Sequence, residues 1–121
     1  MSCKIERIYE SEEEKAIRVL VDRVWPRGIS KDKANLDHWL KEIAPSDTLR
    51  KWFNHDPDKF SSFKEKYKKE LKSGEQQEAL EELKEIYKKS DKKVALLYSA
   101  KDEKNNQAVV LKEIIDHQKK D

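Results

Sequence analysis

Three features of the 121-residue sequence predict an α/β fold. A β-branched apolar run stands near its start and a short apolar run near its end, segments with helical spacing fill the long stretch between them, and no linker or internal repeat divides the chain. The expected architecture is a small mixed or parallel sheet of about three strands covered by helices, with a four-helix insertion between the second and third strands. One domain over residues 1–121 is expected, since the length suits a single core and is short for two.

The first strand is read at CKIERIY, Cys3 to Tyr9, with Ile5 and Ile8 set among charges, as suits a position near a sheet edge. The acidic ESEEEK that follows reads as a surface loop or a single helical turn. AIRVLVDRVW, Ala16 to Trp25, is rich in β-branched residues and marks a central strand. So few residues separate the two strands that an antiparallel pair is expected.

Pro26 and Gly28 end the second strand in a defined loop. Leu36, Trp39, Leu40 and Ile43 then fall on one helical face, with Asn35 as a candidate cap. Ser46 can cap a short helix carrying Leu49, Trp52 and Phe53. In the third, Asp56 stands at the N-cap and Pro57 at the first helical position, followed by Phe60, Phe63, Tyr67 and Leu71. Gly74 breaks that run, and the fourth helix carries Ala79, Leu80, Leu83, Ile86 and Tyr87. Lys59 to Lys72 holds six lysines against two glutamates, whereas Glu75 to Glu85 holds five glutamates against one lysine, so a hairpin of the last two helices would set opposite fields side by side. VALLY, Val94 to Tyr98, is the second buried strand, and Ala108, Val110, Leu111, Ile114 and Ile115 continue into a terminal helix that frays at HQKKD.

Composition removes several function classes. Charged residues make up 43% of the chain, yet the net charge is only +2, which is no global signature of nucleic-acid binding. With Gly28 and Gly74 as the only glycines, loops of the GxGxxG or Walker type are excluded, because their backbones must approach phosphates closely. No apolar stretch approaches a membrane span or a signal peptide, and the lone Cys3 makes neither a disulfide nor a metal cluster, so a cytoplasmic location is expected. Three scattered histidines and one remote cysteine give no ligand spacing; neither a metal nor a cofactor is expected.

Three segments could carry chemistry. In DRVWPRG, placed where a central strand ends, Arg23 and Arg27 can face one crevice with Trp25 as an aromatic wall, and Asp22 can orient an arginine. The same residues also suit a purely structural role, an ion pair closing the sheet end, a core tryptophan and a turn. His55, beside the Asp56-Pro57 helix start, is the second candidate, as acid, base or anion contact; His38 reads as helix surface and His117 as solvent-facing. Ser99 and Lys101, after the last strand, would share the sheet end with the arginines if the central strands are parallel. For Ser99 no activating base is identifiable, since neither a G-x-S-x-G elbow nor an S-x-x-K pair is present.

LVDRVWPRGISKDKANLDHWLKEIAPSDTLRKWFNHDP, Leu20 to Pro57, with Phe60, Phe63 and the later VALLYSAKDEKNNQAVVL, resembles the DUF488 family and within it the compact YeaO-like branch. The resemblance covers nearly the whole chain and implies a bacterial or archaeal cytosolic α/β domain. It brings no catalytic residue with it. Other branches carry a cysteine-containing segment after the corresponding late strand and a Cys-His-Arg-like stretch beyond, where this chain has neither cysteine nor histidine.

The function expected is binding of a small molecule bearing a phosphate or carboxylate, with an enzyme acting on such a metabolite as its extension. In that extension Arg27 would hold the anion and His55 would act as acid or base. The alternative is a nucleic-acid-binding module, using the Lys64 to Lys72 face with Trp52 or Trp25 stacking, or a protein-interaction module.

Overall fold

The computed structural model describes residues 3–10, 16–90 and 93–117. Four strands, β1 (Cys3–Arg7), β2 (Ala16–Leu20), β3 (His38–Trp39) and β4 (Lys93–Tyr98), form one sheet in the order β1-β4-β2-β3, and every pair is parallel. Five helices accompany them: α1 (Lys31–Ala34), α2 (Asp47–Phe53), α3 (Phe60–Glu70), α4 (Gly74–Lys89) and α5 (Gln107–His117). The parallel alternative for the sheet is the one adopted, and the long helical insertion stands between β2 and β4.

Alternation along the central strands sorts the core into two layers. Val19 and Val21 of the β2 segment, with Val94, Leu96 and Tyr98 of β4, join a large cluster with Phe53, Phe63, Tyr67, Leu83 and Leu111 from α2 to α5. Their neighbours Leu20, Ala95 and Leu97 point to the other face, where Ile8, Ala34, Trp25, Ile29 and Leu36 cover them. Arg18 crosses that second layer almost fully buried; its Nη2 donates to the Ala34 carbonyl at 2.8 Å and its Nε to the Asn35 carbonyl at 3.2 Å, closing the end of α1.

The antiparallel pairing expected of the first two strands is overturned. β4 lies between them and bonds to both, with Cys3 opposite Val94 on one side and Ile17 opposite Val94 on the other. The short-connection argument assumed neighbours; strands a position apart impose no hairpin. β1 is an edge strand as expected and ends at Arg7, followed by a 3-10 turn over Ile8–Glu10. The expected ESEEEK turn and the HQKKD fray lie chiefly outside the described residues.

The helix expected from Asn35 to Ile43 is also absent. Asn35 is the left-handed C-cap of α1, φ 47°, and His38 and Trp39, read as helical, pair with Val19 and Leu20 instead. Leu36 joins one core layer and Leu40 and Ile43 the other, so their helical spacing arises from a chain passing the sheet edge rather than from one helix face. A 3-10 turn over Lys41–Ile43 follows.

The later helices match their local signals. Ser46 Oγ accepts from the Leu49 amide at the start of α2, and Asp56 accepts from the Asp58 amide at the 3-10 turn that opens α3 with Pro57. Gly28 and Gly74 both take positive φ, 83° and 68°, where a side chain would be strained. The opposite charges of α3 and α4 form no ion pair between the two helices; Lys64 pairs with Glu113 of α5 at 3.1 Å, while Lys84 and Lys89 pair within α4. No described helix is long and apolar enough to cross a membrane.

Candidate functional site

Parallel pairing brings the carboxyl ends of β1, β2 and β4 to one edge of the sheet, and the residues just beyond them line a cavity of about 460 Å³. This volume lies within the usual range for small-molecule sites. Asp22, Arg23, Trp25, Arg27, His55, Ser99 and Lys101, all candidates from sequence, stand on its wall together. His38, in β3, and His117, at the exposed end of α5, are not among the lining residues.

Asp22 is 8% exposed, two residues past the end of β2, and its carboxylate closes the sheet end without any arginine. Oδ2 accepts from the Ser99 amide at 3.1 Å and from Ser99 Oγ at 2.5 Å, and Oδ1 accepts from Gln107 Nε2 at 2.6 Å. The carboxyl thus ties β2 to β4 and to the start of α5. Burial pushes its pKa above the ordinary aspartate range, against the opposing pull of the bonds from Ser99 and Gln107. The ion pair with an arginine that the sequence allowed is not formed.

The DRVWPRG loop is fixed by its own backbone carbonyls. Trp39 Nε1 donates to the Asp22 carbonyl at 2.7 Å, Tyr9 Oη to that of Arg27 at 2.8 Å, and Trp25 Nε1 to that of Ile29 at 2.7 Å. Trp25 meets Trp39 edge to face at 5.3 Å between centroids, half-buried, so it is partly core and partly cavity wall. Arg27 is exposed and its guanidinium makes no hydrogen bond or ion pair with any described residue, while Arg23 Nη2 donates to the Ala44 carbonyl at 2.9 Å.

The remaining wall comes from residues the sequence reading passed over. Arg7 ends β1, donates from Nε to the Ala100 carbonyl at 3.1 Å and lies 4.7 Å over the Tyr9 ring. Arg50 on α2 bonds Asp47 at 3.0 Å. Phe53 and Phe63 stack at 4.3 Å and give the cavity an apolar floor. Reading β1 as parallel would have placed Arg7 at this edge; Phe53 and Phe63 read from sequence only as apolar helix faces and Arg50 as helix surface, and packing alone brings them to the cavity.

Charge is the cavity's plainest property. Among the described residues five cationic side chains line it, Arg7, Arg23, Arg27, Arg50 and Lys101, against the one carboxylate of Asp22, which three donors already occupy. Arg50 is paired with Asp47, but a chain of net charge +2 still brings several cationic side chains to one concave place, where the field is focused toward anions. The amides opening α5 are not part of this, since Asn106 Oδ1 accepts from those of Ala108 and Val109. His55 holds its place on the wall in the left-handed conformation, φ 57°, directly after Asn54 at 48°. No group of three or more metal-ligating side chains occurs among the described residues. A larger groove of about 780 Å³ between α3, α4 and α5 shares no residue with this cavity and mixes lysines with glutamates, among them the paired Lys84 and Glu81.

The family described as "Domain of unknown function DUF488" matches residues 4–115. The chain is 43% identical over 112 residues to "Uncharacterized protein YeaO" of Escherichia coli (strain K12), covering 92% of this chain and 94% of that protein. It is 44% identical over 69 residues to "Uncharacterized protein Rv3073c" of Mycobacterium tuberculosis (strain ATCC 25618 / H37Rv), covering 56% of this chain and 58% of that one. No solved structure matches significantly.

Proposed function

Since the chain belongs to the DUF488 family, whose description names no activity, we propose from the geometry alone that it binds a small molecule bearing a phosphate or carboxylate at the carboxyl ends of β1, β2 and β4. One observation carries this reading: among the described residues the cavity is lined by five cationic side chains, of which Arg50 is paired with Asp47, and by one carboxylate that already accepts from three donors. Charge-assisted hydrogen bonds from Arg27 and its neighbours would hold the acidic group, and Phe53, Phe63 and Trp25 would receive an apolar or ring-bearing body. Its location at the carboxyl ends of parallel strands is where open α/β sheets commonly bind ligands.

A thermal-shift screen at low salt against phosphate, sulfate, sugar phosphates, nucleotides and dicarboxylates tests it. A ligand that binds only the folded state raises the midpoint by mass action, about 2.7 kcal/mol at one hundred times its Kd. Stabilisation of wild type that is lost in a folded Arg27→Ala variant is the expected result. Wild type unmoved by every small anion rejects the reading.

RNA binding is favoured by one separate observation. Trp52 is exposed, with Lys59 Nζ 5.0 Å and Lys66 Nζ 5.2 Å from its ring centroid, and no lysine of α3 is ion-paired to α4. Such a lysine-flanked aromatic suits a base beside a phosphate. Salt-sensitive binding of a short single-stranded RNA, abolished by Trp52→Ala and untouched by Arg27→Ala, would select this surface over the cavity.

A further inference from the structure

Arg23 carries the one buried side-chain nitrogen among the described residues that has no hydrogen-bond partner: its Nε lies out of solvent and unbonded. Guanidinium groups grip oxyanions side-on through Nε–H and the neighbouring Nη2; in Arg23, on the cavity wall, the Nε–H half of that edge is unused and Nη2 is lent to the Ala44 carbonyl. We propose that this edge of Arg23 is the oxyanion subsite of the cavity, that it takes two oxygens of a phosphate monoester, and that Gln76 releases it to do so. The proposal rests on the anion-binding reading above and names the arginine that holds the head group.

The release follows from what surrounds the guanidinium. Arg23 is held by Nη2 donating to the Ala44 carbonyl at 2.9 Å, and that same carbonyl accepts from Gln76 Nε2 at 2.9 Å. When Arg23 turns toward a ligand, Ala44 keeps a donor, so the motion orphans no backbone group. Gln76 is itself anchored, donating to Glu70 Oε1 at 2.9 Å, and Glu70 accepts from Ser46 through its amide at 2.9 Å and its Oγ at 2.6 Å. The anchor stays fixed while Arg23 moves. On ligand binding the unbonded Nε–H gains an acceptor it lacks in the free protein, which adds to affinity.

A phosphate monoester fits this subsite better than a lone carboxylate. Its dianionic head presents three terminal oxygens, enough for two on Arg23 and a third toward the exposed, unpaired Arg27. The apolar side of the ester then lies toward Phe53 and Phe63.

Isothermal titration with phenyl phosphate, benzoate and inorganic phosphate tests the proposal on wild type, Arg23→Lys, Gln76→Ala and Arg27→Ala. Phenyl phosphate is expected to bind wild type more tightly than benzoate. Arg23→Lys, which keeps the charge and removes the side-on edge, is expected to lose about 10- to 100-fold in affinity. Gln76→Ala, outside the cavity wall, is expected to weaken binding several-fold, because Arg23 then becomes the only side-chain donor to Ala44. In wild type the Arg23 Nε–H proton resonance should move downfield and exchange more slowly with phenyl phosphate bound, a readout independent of any variant's folding. Binding that is lost in Arg27→Ala but unchanged in Arg23→Lys, with the Nε–H resonance unmoved, overturns the Arg23 subsite and leaves the cavity reading standing. Absence of anion binding by wild type overturns both, and benzoate binding as tightly as phenyl phosphate overturns the choice of phosphate.

Discussion

Replacing Asp22 by alanine removes the acceptor of three donors at once. The Ser99 hydroxyl and the Gln107 amide can turn into the solvent-filled cavity, but the Ser99 backbone N–H is fixed at the end of β4 and is left without its acceptor. An orphaned, part-buried amide costs about 1–3 kcal/mol, and losing the link between the strands and α5 adds to it, while removing a desolvated carboxylate gives some of that back. The net expectation is about 2–3 kcal/mol of destabilisation, a fall of about 1–2 M in urea midpoint for a domain of this size. Asp22→Asn should cost about 1 kcal/mol, since the amide oxygen can serve Ser99 and Gln107 can flip to accept from the amide nitrogen.

Urea unfolding at a series of pH values separates burial from bonding at this carboxyl. Because its folded pKa is raised, the folded state holds the proton more tightly than the unfolded state. That contribution to stability is complete below the unfolded aspartate pKa and is lost as pH rises through the higher folded value. The asparagine variant does not titrate there, so its penalty relative to wild type should be largest in acid and shrink as pH climbs through that window. A penalty that instead grows with pH would mean the bonds from Ser99 and Gln107 outweigh desolvation, and Asp22→Ala indistinguishable from wild type would refute its role in closing the sheet end.

Three further outcomes are expected. Tyr67→Phe should lose about 1–2 kcal/mol in thermal or urea unfolding, because its fully buried hydroxyl donates to the Ile43 carbonyl at 2.5 Å; unchanged stability would show that the carbonyl finds another donor. His55→Gly should gain about 0.5–1 kcal/mol by relieving a left-handed non-glycine residue, yet weaken anion binding; a stability loss would mean the backbone there is not strained. Cys3 is buried with its thiol pushed up to about 12, so alkylation at pH 8 followed by mass spectrometry should be far slower in the native protein than in urea, and comparable rates would place the thiol in solvent.

Elements whose local chemistry and tertiary role agree were legible in the sequence. Ser46, Asp56 and Pro57 start helices wherever they stand, and VALLY is apolar on both faces because β4 is covered on both. The gathering of DRVWPRG with Ser99 and Lys101 needed only the parallel direction of β2 and β4, which the long insertion implied. The failures arose where contact partners decide. Strand order is a property of pairing, so a short connection could not reveal that β4 enters between β1 and β2. The stretch from Leu36 to Ile43 carries a helical period that sheet-edge pairing overrides. Asp22 was suspected of serving an arginine, and its actual partners, Ser99 and Gln107, stand 77 and 85 positions away, beyond any local signal.

The strand order also governs when this protein can exist during its synthesis. β1 and β2 precede β4 in the chain, but neither has the other as a neighbour; β1 pairs only with β4, and β2 has only the two-residue β3 until β4 arrives. Until residues 93–98 leave the ribosome tunnel, the strand that joins β1 to β2 is missing, and α3 and α4 have only part of their platform. Asp22 meets Ser99, and Arg7 meets Ala100, only after residues 99 and 100 have been translated. Closing such long loops is slow, so folding is expected to be late and all-or-none, and a release or nick ahead of β4 yields chains in which β1 has no partner and β2 only the two-residue β3.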